Sequence, residues 1–429
     1  MSYEDNVFYQ PDLEVEPEEN VIVDFDVVTT ANNMERVFRE IPAESSVGTW
    51  QRVWSMSDDI LQKLSAKTIH SQLITDTHAK IKVAYPIELF EPNNIPQMMS
   101  LFAGNVFGMN SLQYLRVNDF EVPTDFANSF PGPAFGIQGI YDTLGIEKGP
   151  ILGTIVKPKL GAPPEVHAKV TMDSWSGGLQ WVKDDEPQTN QDFCPFEDRI
   201  SRVLEYADQI KSEQGRQVIY ACNITGTIET MVKRAEYVKD HGGKCLMIDV
   251  VTVGFSGVQY IREQNFGLPI HAHRAMHGAI TRHHQHGIHM KVLAKAYRMI
   301  GVDAIHTGTI YGKMGYGKID EDKKEVFSSN QALTDKLGNL KPVMPIASGG
   351  VGVTNIGKII QALAPNVIIT AGGGVHGHPN GSQDGAKSLV QAKEAGLQGI
   401  VDEEPLYQWS IDNNKEELQI ALKKLLNKD

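Results

Sequence analysis

Apolar and polar positions change rhythm along this chain. Val21-Ile22-Val23-Asp24-Phe25-Asp26-Val27-Val28 alternates as a half-buried strand does. Asn32 to Glu40 predicts a helix, 81–85 a strand, Pro86 to Phe90 a turn, and Ile95 to Asn105 a second helix. Strands and helices interleaved in this way predict a compact α+β domain. Ahead of it, Asp12, Glu14, Glu16, Glu18 and Glu19 stand beside Pro11 and Pro17, which reads as a loosely held acidic arm. Phe130-Pro131-Gly132-Pro133 is the clearest break. The expected organisation is an arm at 1–20, a first domain at 21–133 and a second at 134–429.

Beyond residue 150 the rhythm becomes regular. Apolar runs at 151–156, 179–183, 217–222, 245–251, 268–272, 303–306, 343–347 and 366–371 predict strands. Helical spacing appears near 164–175, 197–213, 227–240, 256–264, 289–300, 329–336, 353–363 and 384–395. Strand–helix units of this number, within about 250 residues, predict a TIM (β/α)8 barrel. A doubly wound sheet is the competing architecture, but no Gly-x-Gly-x-x-Gly follows the first strand. From Glu416 to Lys428, Leu418, Ile420, Ala421, Leu422, Leu425 and Leu426 recur at helical spacing and predict a final packing helix.

Composition narrows the classes. At 41% apolar and 22% charged, the chain is ordinary for a globular protein. No run approaches the roughly 18 uncharged apolar residues of a membrane span, and no basic-then-apolar leader opens it. A cytoplasmic protein without membrane contact is expected. A formal charge of −13 argues against a nucleic-acid surface, so an anionic substrate needs a local positive site. Cys194, Cys222 and Cys245 lack Cys-x-x-Cys spacing and read as reduced structural thiols, the last two inside apolar strands.

The predicted strands end in chemistry. In order these ends carry Lys157 and Lys159; Lys183, Asp185 and Glu186; Asn223; Asp249; His271, His273, Arg274 and His277; His306; Ser348, Gly349 and Gly350; and Gly372, Gly373 and Gly374. A barrel's active face is built from such ends. Asp185 and Glu186 are hard oxygen donors that suit Mg²⁺, and Lys183 becomes a third if its uncharged amine captures CO₂ as a carbamate. Taken by themselves, these residues read more simply as a solvated turn of paired charges. His273, Arg274 and His306 offer donors to a phosphate. The glycine turns after the last two strands are where barrels often hold phosphate. Two phosphate sites flanking a metal imply a substrate phosphorylated at both ends. Gly308 to Lys318, rich in glycine around Lys313, reads as a closing lid or as a plain surface loop. His283, His284, His286 and His289 read as ordinary residues of a solvated loop.

Together these residues resemble the large subunit of ribulose-1,5-bisphosphate carboxylase/oxygenase (RuBisCO), from about residue 21 to 400. The motifs are Gly153-Thr154-Ile155-Val156-Lys157-Pro158-Lys159-Leu160-Gly161, Gly177-Gly178 with Lys183-Asp184-Asp185-Glu186, and His271-Ala272-His273-Arg274-Ala275-Met276-His277. Glu44-Ser45-Ser46-Val47-Gly48-Thr49-Trp50 and Gly104-Asn105 match in the first domain. The resemblance implies an α/β fold, a C-terminal barrel behind an N-terminal ferredoxin-like α+β domain. It also implies Mg²⁺-dependent carboxylation, and competing oxygenation, of ribulose 1,5-bisphosphate to 3-phosphoglycerate.

By the same resemblance, Lys183 is the carbamylated lysine, holding Mg²⁺ with Asp185 and Glu186 and taking the C3 proton. Lys157 assists enolisation and protonates the final carbanion, with Lys159 tuning it. His273 moves protons during hydration, and Lys313 polarises CO₂ or O₂. One phosphate lies with Thr49, Trp50, Gly350, Gly372 and Gly373, beside Gly349; the other lies with Arg274 and His306; Ser348 meets the sugar hydroxyls. Glu44, Thr49, Trp50 and Asn105 reach the barrel of a partner, which implies a homodimer or a multimer of dimers. The Trp181-Val182-Lys183-Asp184-Asp185-Glu186-Pro187-Gln188 context is similar to archaeal-type forms III or II/III, which implies no small subunit. One departure is Met314-Gly315-Tyr316, where the family usually has Met/Leu-Glu-Gly. An enolase or isomerase of another phosphorylated ketose is the alternative, and a non-catalytic barrel a third reading.

Overall fold

The computed structural model describes residues 6–30, 33–48, 53–313 and 318–427, which divide into two compact units. The units are not linear segments. The first takes in 276–300 and 335–340 besides the chain up to Gly132; the second holds the remainder.

The sheet of the first unit uses β1 (Asn20–Thr29), β2 (Lys67–Thr75), β3 (His78–Pro86) and β4 (Leu112–Glu121), in the order β4-β1-β3-β2 and antiparallel throughout. With the helices Met34–Glu44 and Ile95–Phe102 between strands, this is the ferredoxin-like arrangement. Alternation in β1 sends Val21, Val23, Phe25 and Val27 inward, fully buried. Asn33 caps the first helix by accepting from Arg36 N, and Asn94 caps the second by accepting from Gln97 N.

The first helix runs past its expected end at Glu40, with Pro42 inside it. Proline has no N–H for the carbonyl four residues back, which is that of Phe38. Thr68 Oγ1, on β2, donates to that carbonyl at 2.7 Å. The helix therefore continues to Glu44. β2 and β4 are absent from the sequence expectations, as is the helix Glu403–Asp412 of the second unit.

In the second unit, β5 (Ile151–Ile155), β6 (Trp181–Lys183), β7 (Ile219–Asn223), β8 (Leu246–Asp249), β9 (Ile270–His273), β11 (Ala304–His306), β12 (Met344–Ser348) and β13 (Ile368–Thr370) close into a parallel barrel. The intervening β10 (Gly287–Ile288) belongs to the first unit, beside β4. Neighbouring residues face opposite ways along each strand. Ile151, Ile346 and Ile368 join one core with Trp181, Met247 and Met344, against Ile140 and Leu144 of the helix Gly136–Leu144. Leu152, Ala347 and Ile369 join a second core beneath the outer helices. Each fully buried aliphatic side chain contributes about 1.5–3 kcal/mol. The helix expected at 329–336 instead spans Ile319–Thr334; its opening charged run disguised it, though Asp320, Glu321 and Asp322 suit a helix N-terminus. The buried Asp303 carboxylate accepts from Phe135 N, Gly136 N and Ile270 N, and pairs with Arg262.

Candidate active site

Parallel strands in a closed barrel all point one way, so the residues that follow them share one rim. Lys157 and Lys159 follow β5; β6 ends on Lys183, with Asp184, Asp185 and Glu186 after it. β7 ends on Asn223, β8 on Asp249, β9 on His273, β11 on His306 and β12 on Ser348.

Lys183 is far more deeply placed than Lys157 or Lys159, with its side chain only 1% exposed. Its Nζ donates to Asp184 O at 2.8 Å and lies 3.6 Å from Glu186 Oε2. Burial lowers its pKa, outweighing the pull of Glu186, Asp185 and Asp249 in the other direction. Lys157 Nζ donates to Asp185 Oδ2 at 2.5 Å, while Lys159 Nζ stands 3.3 Å from Asp185 Oδ1 and 3.2 Å from Glu186 Oε1. Burial and the neighbouring Glu186 raise the Asp185 pKa against Lys157. Burial would also raise Glu186, but Lys183 and His273 hold it well below the usual carboxylate range.

Asp184 faces away from this cluster. It is fully buried, with Arg199 Nε at 2.9 Å, Tyr220 O–H donating at 2.6 Å, Asn223 N donating at 2.8 Å and His167 Nε2 at 3.4 Å. Burial opposes its charge, yet Arg199 and His167 hold its pKa down to about 2. Asn223 Nδ2 also donates to Glu186 O at 2.8 Å. Sequence reasoning missed this anchor. The period of two along a strand was the available signal, since it sets Asp184 opposite Lys183 and Asp185.

The histidines form a connected group. His273 Nδ1 faces Asp249 Oδ1 at 3.2 Å, and its Nε2 lies 3.8 Å from Glu186 Oε2. His271 Nε2 and His306 Nε2 share one proton at 2.9 Å, and His306 Nδ1 meets Ser348 Oγ at 2.7 Å. Burial, then Lys183, lowers the pKa of His273; burial drives His271 and His306 well below the ordinary value. All three are therefore neutral at pH 7. His376, which the sequence reading passed over, meets Ile155 O and Thr154 Oγ1 at 2.9 Å at the end of β5.

The glycines bring backbone close. Gly350 has φ +83°, and a Cβ there would stand 2.6 Å from Lys313 N, which donates to Gly349 O at 3.1 Å. A Cβ on Gly372 would stand 3.2 Å from Lys157 Cε, and Gly373 opens the one-turn helix Gly373–His376. Gly308, with φ +103°, leaves room for Arg274 Nη2. Lys157, Lys159, Lys183, Asp185, Glu186, His273, Arg274, His306, Lys313, Ser348, Gly349, Gly350, Gly372 and Gly373 thus all belong to the second unit. Glu44 and Asn105 belong to the first. Thr49 and Trp50, and the Met314-Gly315-Tyr316 departure, lie outside the described residues.

The chain matches two family profiles, the ribulose bisphosphate carboxylase large chain N-terminal domain over residues 7–126 and its catalytic domain over 136–425. It is 45% identical to a ribulose bisphosphate carboxylase of Methanocaldococcus jannaschii, over 87% of this chain and 91% of that one. A Pyrococcus abyssi enzyme of the same name is 41% identical, over 92% of each. The octameric Pyrococcus horikoshii Rubisco, solved with sulfate, superposes with a TM-score of 0.90 at 39% identity, covering 98% of this chain and 97% of that one. The dimeric archaeal Rubisco of Hyperthermus butylicus gives 0.87 at 36% identity, covering 97% and 98%.

Proposed function

This chain belongs to the ribulose bisphosphate carboxylase large-chain family, and we propose that it carboxylates ribulose 1,5-bisphosphate to 3-phosphoglycerate, with oxygenation as the competing reaction. Lys183 carries this reading. Burial of the Lys183 amine lowers its pKa, which favours the uncharged form that attacks CO₂. Its lone pair forms the N–C bond and its proton passes to solvent, turning a cation into an oxygen donor.

The donor set suits Mg²⁺, which prefers oxygen. Asp185 Oδ1 is buried without a hydrogen bond, and Lys159 Nζ stands 3.3 Å from it and 3.2 Å from Glu186 Oε1. Among the described residues no three His, Cys, Asp or Glu side chains are arranged to hold a metal, so the third donor would be the Lys183 carbamate. Held by Lys183, Asp185 and Glu186, Mg²⁺ would polarise the substrate oxygens and offset developing negative charge.

The other roles are those that the family resemblance implies. Carbamylated Lys183 takes the C3 proton of the substrate to give the enediol. Lys157, beside Asp185, assists that step and returns a proton to the final carbanion, with Lys159 tuning it. His273, whose Nδ1 accepts from Ala275 N at 3.2 Å and lies 3.2 Å from Asp249 Oδ1, presents Nε2 for proton transfer during hydration. Lys313 offers its cation to the incoming CO₂. Arg274 and His306 bind one phosphate, Gly349, Gly350, Gly372 and Gly373 the other, and Ser348 orients the sugar hydroxyls. Glu44, Thr49, Trp50 and Asn105 complete the barrel mouth of a second copy, in a dimer or a multimer of dimers.

The test is fixation of ¹⁴CO₂ with ribulose 1,5-bisphosphate after preincubation with Mg²⁺ and bicarbonate. Label should enter 3-phosphoglycerate, and Lys183→Ala should abolish both fixation and activation by CO₂. Turnover retained in Lys183→Ala would exclude the carbamate. No label from the unaltered protein, with C3 proton exchange intact, would mean that Gly315 and Tyr316 disable the step that Lys313 serves or that a different phosphorylated ketose is the substrate.

A further inference from the structure

The opposite end of the barrel holds a cavity of about 470 Å³ that takes no part in the chemistry above. Its walls precede the strands: Leu144 and Ile146 ahead of β5, Gly178 and Gln180 ahead of β6, and Gly215, Arg216 and Gln217 ahead of β7. Lys393 closes it from the helix Ser382–Leu397. A cavity of this size is within the roughly 300–1,000 Å³ of small-molecule sites.

Its two cations are only partly used by the protein. Arg216 Nη1 donates to Leu179 O at 2.8 Å, Nη2 to Trp175 O, and Nε to Gln214 Oε1 at 2.8 Å. A guanidinium carries two protons on each Nη, so each keeps a second. Lys393 Nζ donates to Pro150 O at 2.7 Å and keeps further donors of its own. Among the described residues no carboxylate pairs with either side chain, and burial lowers both pKa values. The buried Arg199 and Arg262 of this same unit each have a carboxylate beside them. Neutral oxygens accept these hydrogen bonds, and a neutral acceptor brings no net charge to set against either cation. Lys244, whose Nζ donates to Gln217 Oε1, adds a third cation next to the wall.

We propose that this cavity binds a small phosphate-bearing anion, held between Arg216 and Lys393, with Leu144 and Ile146 as an apolar wall. Nothing in the cavity belongs to the barrel rim, so the proposal stands apart from the catalytic reading.

Equilibrium dialysis of the full chain with labelled inorganic phosphate tests it by subtraction, since the variants share an unaltered rim. Lys393→Gln and Arg216→Gln should each weaken one class of bound phosphate by about tenfold or more, the effect of losing a charged hydrogen-bond donor. ¹⁴CO₂ fixation at low phosphate should be unchanged in both. Lys393→Gln leaves the Trp175 and Leu179 carbonyls capped, so it remains informative if Arg216→Gln folds poorly. Ribose 5-phosphate separates the sources: displacement of the label at lower concentration than unlabelled phosphate identifies an ester, and no such advantage identifies the free anion. Identical stoichiometry and affinity in the unaltered protein and Lys393→Gln would overturn the proposal.

Discussion

Lys183 and Asp184 are adjacent, both buried, and tuned in opposite senses. Lys183 has lost much of the support its charge would need, whereas Asp184 has Arg199, Tyr220, His167 and the Asn223 amide around it. Removing the Asp184 charge strands Arg199 in the interior. Asp184→Asn should therefore lower stability by about 3–5 kcal/mol, the usual loss when one member of a buried pair is removed. Urea unfolding of the two proteins measures it; a loss below about 1 kcal/mol, as for an exposed pair, would contradict the anchoring role. His376 makes a separate prediction. Its pKa falls to about 4, through burial first and then the charge of Lys157. An unfolded histidine titrates near about 6.5. Between these values the unfolded chain takes up a proton that the folded chain refuses, so stability falls as pH drops through that window and is whole above it. Urea midpoints from pH 7 to pH 4 should fall, and His376→Gln should flatten part of the slope.

At the level of elements, residues 308–313 follow β11, and Gly312 and Lys313 lie against the turn after β12. A Cβ on Gly312 would stand 1.9 Å from Gly349 O, so that contact requires glycine. The turn holds Lys313 by its backbone, with Lys313 N donating to Gly349 O, and leaves its side chain exposed, as the proposed role needs. On the proposed roles, enolisation uses Lys183 and Lys157, and the later attack on CO₂ uses the extra cation of Lys313. Lys313→Ala should thus retain C3 proton exchange within a few-fold and lose carboxylation by about 10² or more, the scale of removing one electrostatic stabiliser. Solvent tritium exchange and ¹⁴CO₂ fixation on the same sample separate the steps. Equal loss of both would place Lys313 in enolisation instead.

The whole-molecule expectation concerns copies of the chain. Solved relatives are octameric and dimeric. With Glu44, Thr49, Trp50 and Asn105 assigned to a partner's barrel, Lys183→Ala and Asn105→Ala lie in different halves of one shared site. Each homodimer would be inactive. Dissociation and random reassembly of an equal mixture would regenerate one intact site in each hybrid, or about one quarter of the original activity. Fixation measured before and after reassembly checks this. No recovery from hybrids shown to have formed would mean that each chain builds its own site.

The amino-acid sequence determined whatever depends on neighbours along the chain. The barrel was legible because each strand–helix unit is a local pattern, and its reactive rim because those residues directly follow an apolar run. The ends of Ile151–Ile155 and Trp181–Lys183 could be read in this way, together with the lysines and carboxylates after them. Only the tertiary structure decided what depends on residues far apart. The helix through Pro42 needs a hydroxyl from Thr68, and β10 joins the first unit through β4, with Arg116 reaching the carbonyls of Thr281 and His283. Asp303, at the foot of β11, holds backbone from Phe135 and Ile270. Asp184 reads as one more charge in an exposed run until Arg199 and Tyr220 come to meet it. Local pattern reports which way a side chain can point; whether a partner waits there is set by packing between distant segments.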